Sequence, residues 1–250
     1  METVIETTGL TKFYHEIKAV EDLTLSIRKG EVYGFLGPNG AGKSTTILML
    51  LGLTEPTAGR ASVLGLDPSR SGREIKKSVG CMPENVGFYD DMTGRENLKY
   101  IARLNDIPEQ MANIRIETLL ETVNLSESAD RLAGEYSRGM RQRLGIAEVM
   151  VKDPQLVILD EPTLGLDPEG IGSMLEFIKK LSTERGITIL LCSHLLQQVQ
   201  TICDRVGILD QGRLVAEGRI EDLAGGYLRG EEGQLSLEEV YLRHFKGKEA

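Results

Sequence analysis

The segment "EVYGFLGPNGAGKSTT", Glu31–Thr46, combines three features in the order that a phosphate-binding fold requires. An apolar, β-rich run leads into a glycine-rich loop, and the residues after the loop continue an apolar helical pattern. The loop fits G-x-x-x-x-G-K-[ST], in which glycines let backbone N–H groups turn inward around phosphates at the positive end of a helix. The sequence therefore predicts an α/β domain with a phosphate loop between a buried strand and a helix.

Two side chains of this loop carry charge and metal chemistry. Lys43 is expected to bridge the β- and γ-phosphates of a nucleotide and to assist catalysis, and the Ser44 hydroxyl is expected to ligate Mg²⁺. A glycine-rich turn with a purely structural role is the alternative, but the lysine, the hydroxyl and the flanking elements together disfavour it. The residues predicted to bind the nucleotide here are Gly37, Pro38, Asn39, Gly40, Ala41, Gly42, Lys43, Ser44 and Thr45.

Two further strands are predicted to end in side chains suited to nucleotide hydrolysis. The strand in "LVILDEP" is followed by two acidic residues. Asp160 is expected to hold Mg²⁺ through water, and Glu161 is placed to orient or deprotonate the attacking water. Adjacent acids at a strand end can also form an ordinary solvated turn, which is the lesser interpretation after a phosphate loop. "CSHLL" places His194 at the end of the next strand, where ligands bind in such folds. A lone histidine is more often structural, but this position favours contact with the γ-phosphate and a catalytic role.

Composition limits the class of protein. The 250 residues are 40% apolar and 27% charged, with a net charge of −9 that argues against a broad nucleic-acid or anionic-membrane footprint. Cys81, Cys192 and Cys203 form no CxxC pair, so reduced thiols packed in the core of an intracellular protein are expected. The N-terminus lacks the features of a signal peptide, and no apolar run approaches the ~18 residues that span a bilayer. Work at a membrane would therefore need a partner.

Alternation of short apolar runs with longer amphipathic segments predicts a layered α/β fold. Between residues 88 and 154 three helical patterns follow one another without a convincing strand, which indicates a helical subdomain inserted into the sheet. We therefore expect one domain over residues 1–225, with a core at 1–87 and 155–225 and the helical subdomain at 88–154. Residues 226–250 are expected to add a C-terminal helical extension, which is more simply explained by packing on the core than by partner binding.

The octapeptide "YSRGMRQR", Tyr136–Arg143, carries three arginines and no acid in an acidic chain. Ser137 is a good N-cap for the helix that follows, and the helix start would offer its amides outward at Gly139. That would be a second anion site, on the helical insert and away from the chain's own phosphate loop. A two-fold, head-to-tail pair of chains, in which each octapeptide covers the nucleotide held by the other, explains both sites.

The phosphate loop, the octapeptide, "LVILDEP" and "SH", in that order, resemble the motifs of the ATP-binding cassette (ABC) ATPases, specifically the nucleotide-binding subunit of a transporter. The resemblance covers residues 4–218 and implies a P-loop NTPase core, with a mixed, mainly parallel sheet and an antiparallel β part. It also implies that Tyr14 stacks on adenine and that Asp167, in the D-loop "LGLDP", lies at a dimer interface. The octapeptide matches the signature motif, whose residues acting on the partner's nucleotide would be Ser137, Arg138, Gly139 and Met140.

The chain departs from the usual family pattern at several of these positions. Glu84 stands where the family usually has the Q-loop glutamine, and it keeps an oxygen for Mg²⁺ or the attacking water but adds a negative charge. Tyr136, Arg138 and Met140 replace the usual Leu, Gly and Gln, and Arg138 either adds charge near the partner's phosphates or points to solvent. Glu84 and the sequence "YSRGMRQRLGIA" resemble the exporter-like branch of bacterial and archaeal cassettes.

The resemblance implies an ATP-hydrolysing subunit that dimerises over two Mg-ATP and drives a separate membrane permease for export. It would lie in the cytoplasm, peripheral on the inner face of the cell membrane, touching neither the transported substrate nor nucleic acid. The alternative is a soluble cassette ATPase acting in translation or DNA maintenance. Such proteins usually carry two cassettes or a long coiled-coil insert, and this chain has one set of motifs and a short insert. A regulatory nucleotide binder without activity is disfavoured because Lys43, Asp160, Glu161 and His194 are intact.

Overall fold

The structure is a computed structural model, which describes residues 2–224, 229–230, 233–234 and 241. Its backbone forms two compact units. The first contains residues 1–76 and 181–250, and the second contains residues 77–180. The three helices predicted between residues 88 and 154 all belong to the second unit.

The first unit begins with a three-stranded antiparallel sheet. Its strands alternate buried apolar and exposed polar residues, the pattern of a sheet with one face on the core and the other in solvent. Ile5, Leu10, Leu23 and Ile27 are fully buried along the core face of this sheet. The central strand pairs with both of its neighbours. In chain order the strands are β1 (Thr3–Tyr14), β2 (Ile17–Arg28) and, after a helix, β4 (Ala58–Val63).

Four strands of a second sheet also lie in the first unit. Three are parallel and buried almost throughout, as expected for strands covered on both faces, and the fourth pairs antiparallel at the edge. Gln211 and Gly212 turn between the last two strands with positive φ values of 47° and 82°. The strands are β3 (Val32–Leu36), β7 (Thr188–Ser193), β8 (Arg205–Asp210) and β9 (Arg213–Arg219). The parallel strands all end at the edge where the phosphate loop begins.

The second unit pairs two parallel strands with a group of helices. Thr93 begins the first of these helices with a capping box, in which its hydroxyl accepts from Glu96 N–H and the Glu96 carboxylate accepts from Thr93 N–H. Leu98, Ile116 and Leu144, one from each of three successive helices, are fully buried. The elements are β5 (Val79–Met82), α3 (Gly94–Leu104), α4 (Glu109–Thr122), α5 (Arg138–Met150) and β6 (Leu156–Asp160).

The remaining described elements are connecting helices and short pieces of strand. The helices are α1 (Lys43–Leu50), α2 (Pro68–Ser78), α6 (Pro168–Arg185), α7 (Leu196–Ile202) and α8 (Ile220–Ala224). Two-residue strands β10 (Arg229–Gly230) and β11 (Gly233–Gln234) pair antiparallel. Short 3-10 turns occupy Ser126–Ser128 and Ala133–Glu135.

The predicted α/β class, with mainly parallel strands and an antiparallel part, is confirmed by these pairings. Cys192 and Cys203 are buried free thiols and Cys81 is a half-buried one, as expected. Apart from Tyr241, the predicted C-terminal helix lies outside the described residues. In the part of the chain that the structure describes, no helix has the length and apolar character needed to cross a membrane.

Candidate nucleotide-binding and hydrolysis site

The phosphate loop connects β3 to α1 and is held at both of its ends. Gly37 N–H donates to the Ser193 carbonyl at 3.3 Å, and Gly212 N–H donates to the Ala41 carbonyl at 2.9 Å. Gly42 has φ 106°, and a Cβ built on it would lie 2.5 Å from the Ala19 carbonyl oxygen, so only glycine fits. The loop is therefore fixed by neighbouring strands before α1 begins.

Lys43 is the first residue of α1 and is almost completely buried. Its ammonium group donates to the Gly37 carbonyl at 2.5 Å and to the Pro38 carbonyl at 3.2 Å, so the charge lies inside the loop. The next residue, Ser44, is exposed to solvent. The N-cap of α1 is Gly42, which has no side chain to accept hydrogen bonds from the first amides of the helix. The helix start can therefore offer these amides to an anion.

Tyr14 lies at the end of β1, in a hairpin whose second strand contacts the phosphate loop. Its ring is 40% exposed, as a stacking platform must be. Lys12 was not predicted from the sequence: its ammonium lies 5.0 Å from the centre of the Tyr14 ring and donates to the Glu55 carbonyl at 2.7 Å. Ala19 and Val20 of the opposite strand pack on Gly42. This packing places the second strand of the hairpin that carries Tyr14 against the phosphate loop.

His194 follows β7 directly, one residue after Ser193, whose carbonyl binds the start of the phosphate loop. The structure thus brings this histidine and the loop to the same sheet edge, as predicted from the strand order. The His194 carbonyl accepts a hydrogen bond from the Tyr241 hydroxyl at 3.2 Å, and the Ser193 hydroxyl accepts from Leu195 N–H. These bonds hold the backbone on both sides of His194.

The acidic pair at the end of β6 lies in the second unit. Asp160 is half-buried, and Glu161 is 5% exposed with φ 51°, a left-handed conformation that costs a non-glycine residue about 1–3 kcal/mol. Such strain is typical of functional positions. Asp160 and Glu84, in the second unit, and Ser44, in the first, carry oxygen atoms of the kind that Mg²⁺ prefers, and Glu84 lies exposed on the loop after β5. The donor types therefore fit Mg²⁺.

The octapeptide begins α5 as predicted. The Ser137 hydroxyl accepts from Met140 N–H at 3.3 Å and so caps the helix. Two of the three arginines have structural partners that the sequence did not reveal. Arg141 bonds Asp90 at 2.7 Å, and Arg143 donates to the Asn124 carbonyl at 3.4 Å.

The third arginine, Arg138, lies against the D-loop. A Cβ built on Gly165 would lie 2.3 Å from Arg138 Nε and 2.4 Å from Cζ. The octapeptide and the D-loop together line a cavity of about 560 Å³, whose wall includes Ser137, Gly139 and Asp167. The second unit therefore brings together the octapeptide and the D-loop, which the sequence treated as separate motifs.

Cys81, Lys152 and Glu148 form a half-buried ionisable cluster that was not predicted. Burial raises the pKa of the Cys81 thiol to about 11, with the negative charge of Asp160 acting in the same direction. Burial lowers the pKa of Lys152. Burial also raises the pKa of Glu148 to about 7, against the opposing effect of Lys152. The Cys81 thiol is therefore protonated at neutral pH, and Glu148 titrates there.

Glu148→Gln should stabilise the protein at pH 8 and have little effect at pH 5. Because the folded pKa of Glu148 lies above its ordinary value of 4.5, its contribution to stability is present below pH 4.5 and is lost as the pH rises through 7. The variant avoids the buried charge, so the free energy of unfolding at pH 8 should increase by about 1–3 kcal/mol.

Urea unfolding of both proteins at the two pH values measures this difference. Glu121→Gln, at an exposed position of α4, is the matched control and should change stability by less than about 0.5 kcal/mol. Equal effects of Glu148→Gln at pH 5 and pH 8 would contradict the account.

Comparisons with known proteins identify a family and several relatives of this chain. The ABC transporter family profile matches residues 20–164. The bacitracin transport ATP-binding protein BcrA of Bacillus licheniformis is 45% identical over 87% of this chain and 70% of its own length. The Nod factor export ATP-binding protein I of Burkholderia orbicola is 40% identical over 86% of this chain and 70% of its own length.

Among solved structures, an ATP-binding subunit of an ABC transporter superimposes with a TM-score of 0.83 and 32% identity. The match covers 96% of this chain and 99% of that subunit. The family match over residues 20–164 spans the phosphate loop, the capped octapeptide and the acidic strand end described above. The chain belongs to the ABC transporter family, as one of its ATP-binding, ATP-hydrolysing subunits.

Proposed function

We propose that two copies of this chain close over two Mg-ATP and reopen after hydrolysis, and that this cycle drives a separate membrane permease. The observation that carries the proposal is the presence of two distinct anion-suited helix starts. One is α1, behind the phosphate loop, and the other is α5, capped by Ser137 beside the cavity and the D-loop. A two-fold pair uses both helix starts at each nucleotide.

Each residue then has a defined role. The loop amides and Lys43 bind the phosphates, and the exposed Tyr14 ring stacks on the base. Asp160 and Ser44, with Glu84 nearby in the Q-loop, would hold Mg²⁺, which neutralises phosphate charge and polarises the bond that breaks. Glu161 orients and deprotonates water, and His194 contacts the γ-phosphate. Ser137, Arg138, Gly139 and Met140 complete the partner's site.

We further propose an export system. Two of the related proteins are named for bacitracin transport and Nod factor export, and the exporter-like octapeptide agrees with that direction. The permease would contact the surface from Glu84 to Thr93, which exposes Tyr89. The chain would then work in the cytoplasm at the inner face of the membrane, away from nucleic acid, as its charge of −9 suggests. A soluble role in translation or DNA maintenance is not favoured by these relatives.

Purification of the tagged chain from detergent-solubilised native membranes tests the proposal. We expect a polypeptide with about six apolar helices to co-purify in equal amount, and phosphate release by the complex. The Lys43→Ala chain should assemble equally well but release no phosphate, which ties hydrolysis to this chain. A fully active chain that never assembles with a membrane protein would favour the soluble alternative.

A further inference from the structure

His194 lies on a very short connection between β7 and α7. The strand and the helix are joined by two residues, His194 and Leu195. Both neighbouring elements are fixed, since β7 is buried throughout and α7 packs closely on β3. A Cβ built on Gly34 of β3 would lie 2.5 Å from Val199 Cγ1 of α7. The direction of the His194 side chain therefore depends on the hydrogen bonds that hold this short link.

Hydrogen bonds hold the peptide groups on both sides of His194. In the peptide before it, the Ser193 carbonyl accepts from Gly37 N–H of the phosphate loop at 3.3 Å. In the peptide after it, Leu195 N–H donates to the Ser193 hydroxyl at 3.0 Å. The carbonyl of that same peptide accepts from the hydroxyl of Tyr241, 47 positions later in the chain, at 3.2 Å. The phosphate loop thus fixes the first peptide, and Tyr241 helps to fix the second.

A change in the second peptide would turn the histidine ring. Each residue has only two soft backbone dihedral angles, and the elements on both sides of the link are fixed. A rotation of the peptide after His194 therefore has to be compensated at its Cα, and this compensation changes the direction of the Cα–Cβ bond. Because displacement of a catalytic group by about 1 Å can cost about 100-fold in rate, the bond from Tyr241 bears directly on hydrolysis.

We propose that Tyr241 is a positioning residue, whose hydroxyl keeps the His194 ring aimed at the γ-phosphate. The inference rests on the proposed function, in which His194 contacts that phosphate group. Tyr241 would thereby take part in hydrolysis, although the sequence of residues 226–250 favoured simple packing on the core. A displacement of Tyr241 would leave nucleotide binding by the phosphate loop intact and slow the hydrolysis step, because the histidine acts on the transition state.

Tyr241→Phe removes the hydroxyl and keeps the ring, so packing is preserved. We expect kcat for ATP hydrolysis to fall about three- to tenfold, with KM for ATP within about twofold of the wild-type value. Tyr100→Phe, which removes the hydroxyl of a half-buried tyrosine in α3, is the matched control and should keep both constants. A wild-type kcat for Tyr241→Phe, or a change confined to KM, would overturn the proposal.

A double-mutant cycle with His194→Ala shows whether Tyr241 acts through the histidine. His194→Ala alone should slow hydrolysis about 100-fold. Adding Tyr241→Phe to this variant should cause no further loss, because the ring to be positioned is gone. Losses that multiply would mean that Tyr241 acts elsewhere in the chain, and they would overturn the proposal.

The NMR signals of the histidine rings give a readout that does not depend on turnover. The chain has three histidines, and the His194 signals are those that disappear in His194→Ala. Tyr241→Phe should shift the His194 signals and leave those of His15, exposed in the turn between β1 and β2, in place. Unmoved His194 signals would contradict the positioning role.

Failure of the proposed function has a different signature. A His194→Ala chain that hydrolyses ATP at the wild-type rate would remove the histidine from the site, whatever Tyr241 does. A slow His194→Ala chain together with a Tyr241→Phe chain at the wild-type rate would leave the site as proposed and overturn the role of Tyr241 alone.

Discussion

Glu161→Gln should bind ATP as well as the wild-type chain but hydrolyse it about 10²–10⁴-fold more slowly, the range expected when a general base is removed. The amide keeps the volume of the carboxylate at a position that is 5% exposed, so packing should be preserved. It cannot accept the proton of the attacking water. Because reopening depends on hydrolysis, the variant should accumulate as an ATP-bound dimer.

Gel filtration with and without Mg-ATP measures the amount of trapped dimer, and phosphate release measures the rate of hydrolysis. Glu184→Gln changes an exposed glutamate near the end of α6 and is the matched control, with wild-type rates and no trapped dimer. A Glu161→Gln chain that stays monomeric with Mg-ATP, or that hydrolyses at the wild-type rate, would remove Glu161 from the catalytic role.

Ser137→Arg should leave ATP binding by the isolated chain intact and lower hydrolysis at least about 100-fold, because in the proposed dimer a bulky side chain would fill the space between the start of α5 and the partner's phosphates. The serine caps α5 through a single bond to Met140 N–H, so some loss of stability should accompany the change. Loss of the cap alone costs about 1 kcal/mol and would not abolish activity. Ser137→Ala separates the two effects.

Mixing inactive chains gives a sharper result. A dimer of one Ser137→Arg chain and one Lys43→Ala chain has one site with an intact phosphate loop and an intact signature. Random pairing of equal amounts should therefore recover about a quarter of wild-type activity, since half of the dimers are mixed and each has one working site. No recovery on mixing, with both chains folded and able to dimerise, would contradict sites shared between two chains.

Local patterns predicted the backbone features around the candidate site, because each of these features is contiguous in sequence. The glycine spacing of the phosphate loop, the buried strand before Asp160 and the Ser137 cap are each read from about ten residues, and the structure has all three. The position of His194 followed from one more rule, that parallel strands end at a common sheet edge. These features depend on backbone conformation, which short segments determine.

Contacts between distant residues could not be predicted in the same way. Arg141 pairs with Asp90, 51 positions away, and Arg138 packs on Gly165, so two arginines of one octapeptide have different contacts that the octapeptide alone does not distinguish. The raised pKa of Glu148 likewise follows from partial burial, against the opposing charge of Lys152, and not from any local motif. The cation over the Tyr14 ring depends on the Glu55 carbonyl on another segment.

The dependence of hydrolysis on protein concentration tests the central claim most directly. If each hydrolytic site needs two chains, the rate per chain at saturating Mg-ATP should fall in proportion to concentration once the protein is diluted below its dimer dissociation constant. Adding excess Lys43→Ala chain, which brings an intact signature and is not expected to be trapped as an ATP-bound dimer, should restore activity to dilute wild-type protein. A rate per chain that stays constant down to concentrations at which only monomer is detected would contradict the account.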